Sequence, residues 1–132
     1  MKNITTLVMG ILLLSATCIT FAEENQSISA NDFLSLTKSN DEHSKVLLLD
    51  VRTVNEFNNG HVPGAINIPV AELPDALAKL GDKSQQIVVY CRSGVRAGRA
   101  IHFLEQQGFQ NLLHLEGDYL AWEENALPIE KP

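Results

Sequence analysis

Ile87-Val88-Val89-Tyr90-Cys91-Arg92-Ser93-Gly94-Val95-Arg96 is the stretch of this 132-residue chain that decides both its fold and its chemistry. Ile87 to Tyr90 is apolar throughout and of strand length, the pattern of a strand buried on both faces. From about Val95 to Gln107 the pattern changes to a helix. Ala97, Ala100, Ile101 and Leu104 fall on one face, and Gly108 is its natural stop. A buried strand, a short loop and an amphipathic helix make one unit of an α/β domain.

The same alternation continues on either side. Ser29-Ala30-Asn31-Asp32 caps a short helix carrying Phe33, Leu34 and Leu36. Val46 to Val51 reads as a second doubly buried strand, and Glu56 and Phe57 lie on a helical turn ending near Asn58-Asn59-Gly60. Ala65 to Ile68 is a short strand between Pro63-Gly64 and Pro69. Pro74 opens a helix striped by Leu73, Leu77 and Leu80 and closed by Gly81. Leu112 to Leu115 is a further strand, and Trp122 lies on a last short helix. Residues 23 to 28 read as a polar leader, and Ser39 to Ser44 as a polar loop. Strands alternating with helices predict a mostly parallel sheet covered on both faces. Ligands then bind beyond the carboxyl ends of strands, which points to the loop after Tyr90.

Composition bounds the possibilities. Hydrophobic residues make up 45% and charged residues 20%, as expected of one globular domain. A net charge of −6 argues against nucleic acid or an anionic membrane as a partner of the whole surface. Lys2 is the sole charge before Glu23, Leu7 to Phe21 is mostly apolar, and Thr20-Phe21-Ala22 offers small residues at a cleavage site. Residues 1–22 therefore read as a secretory signal peptide and 23–132 as a single domain. The expected product is exported, with the periplasm as its compartment and no stable membrane insertion after cleavage. The apolar segment is short for a membrane anchor. Cys18 leaves open lipidation, for which Thr17 is a poor match.

Removal of residues 1–22 leaves Cys91 as the sole thiol. A cysteine ending a buried strand is often a small core residue, but the surroundings of this one favour a site. The first turn of the following helix presents unpaired N–H groups, and the helix dipole adds partial positive charge. Arg92 and Arg96 add full charges, with Arg99 a turn further on. All favour thiolate over thiol. Gly94 lets the backbone turn so that amides face inward. The predicted result is a nucleophile in an anion cradle formed by Arg92, Ser93, Gly94, Val95 and Arg96. Cysteine-loop phosphatases share the arrangement, but their loop is one residue longer. His43, His102 and His114 show no ligand spacing with a cysteine, so no zinc site is expected.

Further segments resemble those of the rhodanese family. Upstream stand Asp50-Val51-Arg52, Glu56-Phe57 and Gly60-His61-Val62-Pro63-Gly64-Ala65. Ile66-Asn67-Ile68-Pro69 follows, and downstream come Gly108-Phe109, Leu112, Leu115, Gly117, Tyr119 and Trp122. With the loop Cys91 to Arg96 they cover essentially the whole mature chain in order, and export and size make it similar to the phage-shock-protein E type. The resemblance implies a rhodanese-like, parallel five-stranded sheet with helices on both faces. It implies sulfur transfer from thiosulfate or a related anionic donor to a thiophilic acceptor, cyanide or a thiol, through a Cys91 persulfide, without metal or organic cofactor. On this basis Arg92 and Arg96 orient the donor and stabilise the loop. Asp50, Arg52, Glu56 and His61 serve as structural support, with Arg52 and Glu56 spaced for an i, i+4 pair and His61 held in a turn. Two alternatives stay open: a persulfide carrier that delivers sulfur to a protein acceptor with little turnover alone, and a cysteine-loop phosphatase or arsenate reductase. Asp118 departs from the family, which often has a second glycine there. Its carboxylate either tunes substrate choice or faces solvent.

Overall fold

The computed structural model describes residues 26–39 and 45–132. The expected signal peptide over 1–22, Cys18, His43 and most of the polar loop lie outside the described residues. Five strands form one parallel sheet in the order β1-β5-β4-β2-β3. They are β1 (Ser27–Ile28), β2 (Leu47–Asp50), β3 (Ile66–Asn67), β4 (Gln86–Tyr90) and β5 (Asn111–Leu115). The helices are α1 (Ala30–Lys38), α2 (Val54–Asn58), α3 (Leu73–Ala76), α4 (Val95–Gln106) and α5 (Asp118–Glu124). Short 3₁₀ turns at Val70–Glu72 and Leu77–Leu80 flank α3.

Alternate strand residues divide the core into two layers. Leu49, Ile87, Val89 and Leu112 pack against Ala97, Ala100, Ile101 and Leu104 of α4 and Leu73 of α3. Leu48, Val88, Tyr90 and Leu115 face the other way, against Phe33 of α1 and Tyr119 and Trp122 of α5. Apolar residues on both faces explain why β2 and β4 carry no polar alternation.

The helix boundaries follow local chemistry. Ser29 caps α1 by accepting the Asp32 N–H. Thr53 opens α2 with a reciprocal capping box, its hydroxyl accepting the Glu56 N–H while Glu56 accepts the Thr53 N–H. One expectation is corrected here. Ser27 and Ile28 are not part of a polar leader; they pair with His114 and Leu115 as the edge strand. The backbone ladder orders them, and two residues are too few to show a period.

After β2 the chain runs outward to β3, and after β4 it runs the opposite way, through α4, to β5. The carboxyl ends of β2 and β4 therefore flank a topological switch point, the usual crevice of such sheets. Asp50 ends β2, and Cys91 follows β4 directly.

Candidate active site

Cys91 is 1% exposed and packs among the apolar residues on the α4 side of the sheet. Its Sγ accepts a hydrogen bond from the Gly94 N–H at 3.0 Å. That bond requires a tight turn, and Gly94 supplies it with φ of 107°, a left-handed conformation that disfavours side chains. Gly94 is also the N-cap of α4, so the thiol sits at the amino end of a 12-residue helix. The Gly94 amide and the helix dipole present partial positive charge to the sulfur. Arg92, Ser93 and Val95 are exposed around the turn.

Arg96 does not point freely into the cradle. Its Nη1 and Nη2 donate to Glu56 Oε2 and Oε1 at 2.7 and 2.9 Å, a bidentate pair joining the first turn of α4 to α2. Arg52, expected to pair with Glu56, does not. It precedes the cap of α2, so helical i, i+4 geometry does not apply to it. Arg52 Nε donates to both Asp50 carboxylate oxygens at 3.0 Å, and its Nη2 donates to Asp50 Oδ2 at 2.6 Å and to the Gly60 carbonyl at 2.8 Å. The guanidinium stands 4.0 Å from the Tyr119 ring centroid, a cation–π contact. Asp50 is fully buried and Arg52 3% exposed.

These bonds tie the β2 end to neighbouring loops. Asn67 Nδ2 donates to the carbonyls of Asp50 and Arg52, each at 3.0 Å. Tyr90, which ends β4, accepts the Val62 N–H at its hydroxyl. Burial, with Asp50 nearby, pushes that phenol well above its ordinary range. His61 is buried in its turn, with Nδ1 2.9 Å from the Phe57 carbonyl and its ring stacked on Phe57. A cavity of about 180 Å³ beside the loop is lined by Arg52, Glu56, Asn59, Arg92, Tyr119 and Glu123, among others.

Asp118 does not face solvent. It is 3% exposed, accepts the Cys91 N–H at 2.9 Å, and stands against His114 Nε2 at 3.0 Å. The i, i+4 spacing of His114 and Asp118 was the available signal for this contact, although a strand end and a Gly117 turn intervene. Among the described residues, no group of three His, Cys, Asp or Glu is arranged to hold a metal ion.

A family model described as Rhodanese-like domain matches residues 29–125. The chain belongs to the rhodanese-like domain family. Among relatives of this rhodanese domain is a sulfurtransferase from Allochromatium vinosum, 39% identical over 66% of this chain and 80% of that protein. Another is the thiosulfate sulfurtransferase GlpE from Shewanella oneidensis, 33% identical over 74% of this chain and 91% of its own. Among solved structures, a rhodanese-related protein from Thermoplasma volcanium superimposes with a TM-score of 0.69 at 31% identity, covering 81% of this chain and 99% of that one.

The Glu56–Arg96 clasp has a pH signature. Hydrogen bonds from Arg96, with further ones from Thr53, lower the Glu56 carboxyl from 4.5 to about 2. Because the folded value is depressed, the stabilisation is complete above about pH 4.5 and is lost as pH falls through about 2. Urea midpoints of the parent and Glu56→Gln should therefore differ at neutral pH and converge in strong acid. A constant gap down to the lowest pH would mean that the clasp does not form in solution.

Proposed function

We propose that this chain is a sulfurtransferase that carries sulfane sulfur on Cys91, taking it from thiosulfate or a related anionic donor. The single observation that carries the reading is the Gly94 N–H aimed at Cys91 Sγ, at the amino end of α4. The Cys91 thiolate attacks the outer sulfur of thiosulfate. The sulfur–sulfur bond of the donor breaks, and sulfite leaves with the electron pair. A new sulfur–sulfur bond makes Cys91 a persulfide, whose terminal sulfur is negative and suited to the same amides. Cyanide or a thiolate then attacks that terminal sulfur, and Cys91 departs as thiolate.

The residues divide this work. Arg92, exposed at the rim, supplies the charge that draws the anionic donor. Arg96, held by Glu56, stiffens the loop and contributes charge at closer range. Ser93 and Val95 shape the turn through their backbone. Arg96 is engaged by Glu56, and the loop is shorter than a phosphatase's; both features favour a single reacting sulfur over a tetrahedral phosphate. The apolar start of the chain supports export to the periplasm, as in the phage-shock-protein E type, with no metal or organic cofactor. A protein thiol is a fitting acceptor alongside small ones.

The test is mass spectrometry of the Cys91 peptide after thiosulfate and then cyanide. The expected result is a gain of one sulfur atom at Cys91 that cyanide removes. No gain on a reduced Cys91 would overturn thiosulfate as the donor, and turnover of an aryl phosphate would overturn sulfur transfer in favour of phosphoryl chemistry.

A further inference from the structure

Sulfur transfer as derived above makes no use of Asp118 and His114, yet both lie against the reactive loop. Asp118 accepts the Cys91 N–H at 2.9 Å. A side chain begun on Gly94 would meet Asp118 Oδ2 at 3.1 Å and His114 Cε1 at 3.4 Å. The pair therefore abuts both ends of the turn whose amide points at the sulfur. Asp118 keeps this position at φ of 55°, a left-handed conformation that a glycine would hold more easily. A buried carboxylate behind an anion cradle repels what the cradle must hold, unless a cation compensates it. His114, half-buried at the end of β5, is placed to be that cation.

We propose that His114 and Asp118 form a charge-compensated pair that positions the Cys91 loop and makes its hold on negative charge depend on pH. With His114 protonated, the pair is neutral and the cradle remains attractive. When His114 loses its proton, the Asp118 charge stands uncompensated behind the sulfur and disfavours both the thiolate and an anionic donor. The donor half of this inference rests on the sulfurtransferase reading; the thiolate half does not.

The surroundings of His114 support the switch. Its hydrogen bond to Asp118 outweighs burial and raises its pKa above the ordinary 6.5, with the charges of Asp118 and of Glu116, in the turn after β5, adding to the effect. β1 and β4 face it in register with uncharged Ser27 and Val89. The reactive loop contributes Cys91, with Arg92 exposed. On α4, Arg96 is turned to Glu56, while Arg99 and His102 are exposed. The step in behaviour thus falls above pH 6.5.

Thiolate absorbance in the ultraviolet, followed across pH with Cys91→Ser as the blank, tests the pair without sulfur transfer. Asp118→Asn keeps an acceptor for the Cys91 N–H and removes the charge. It should raise the thiolate-to-thiol ratio about five- to tenfold at pH values above the His114 step. His114→Gln keeps a donor to Asp118 and removes the compensating charge, so it should lower the thiolate fraction at pH values below the step. Opposite signs identify charge; equal signs, or no change in either variant, overturn the proposal. The KM for thiosulfate should rise across the same step in the parent, rise at lower pH in Asp118→Asn, where His114 lacks the carboxylate that raises its pKa, and show no such step in His114→Gln. Opposite thiolate effects in a protein that thiosulfate never loads would sustain the pair and sink the donor assignment. Sulfur loading with unmoved thiolate profiles would sink the pair alone.

Discussion

Cys91→Ser is expected to lower sulfur transfer by at least about three orders of magnitude while leaving the fold in place. Serine occupies nearly the same volume, and its hydroxyl can accept the Gly94 N–H that now reaches Sγ at 3.0 Å. The part-buried amide therefore keeps a partner, and the stability cost should stay at about 1 kcal/mol. The chemistry does not survive the exchange. An un-ionised hydroxyl is a poor nucleophile toward sulfane sulfur, and the second step needs a sulfur leaving group that serine lacks. Initial rates of thiocyanate formation, read beside urea midpoints, separate the two effects. Appreciable rate in the folded variant would remove Cys91 from the reaction. Loss of rate together with loss of fold would leave the nucleophile to be identified by the cyanide-labile mass gain on the Cys91 peptide of the parent protein.

The sequence makes the strands and the reactive loop legible because their signals are local. β2 and β4 are apolar without alternation, and the buried face of α4 recurs at helical spacing over three turns. The edge strand Ser27–Ile28 is not legible from its own residues, since its two ladder pairs depend on β5. The resemblance to the rhodanese family implied a fifth strand. Ionic partners are still less legible. Arg52 and Glu56 have helical spacing, but Arg52 lies before the Thr53 cap and turns back to Asp50, two residues away. Glu56 instead joins Arg96, 40 residues away, a contact created by the switch point between β2 and β4. Asp118 shows the same limit. A left-handed backbone at Gly117 and again at Asp118 turns the carboxylate inward to the Cys91 N–H, and no spacing rule reports that rotation.

Removing either member of the Asp50–Arg52 pair should cost about 3–5 kcal/mol of stability, the largest loss expected from any single charged residue here. Asp50 is fully buried, and Arg52 is 3% exposed. In Asp50→Ala the guanidinium keeps the Gly60 carbonyl and the Tyr119 ring but loses its counter-charge. In Arg52→Ala the Asp50 carboxylate keeps the Arg52 backbone N–H at 2.9 Å and the neighbouring Tyr90 hydroxyl, but becomes a buried charge without its paired cation. Each single variant leaves one desolvated ion, so the double variant Asp50→Ala with Arg52→Ala should be more stable than the sum of the two losses predicts. Urea denaturation of all four proteins measures this coupling, and single losses of ~3 kcal/mol would move the midpoint by roughly 1–3 M. Losses below about 1 kcal/mol would mean that water reaches the pair and that it behaves as a surface contact. The result also bears on the reactive loop. The Val51 N–H donates to the Tyr90 carbonyl at 3.0 Å, between Asp50 and Arg52 in the chain and one residue before Cys91. A pair that locks the end of β2 therefore also fixes where β4 releases the chain into the Cys91 turn.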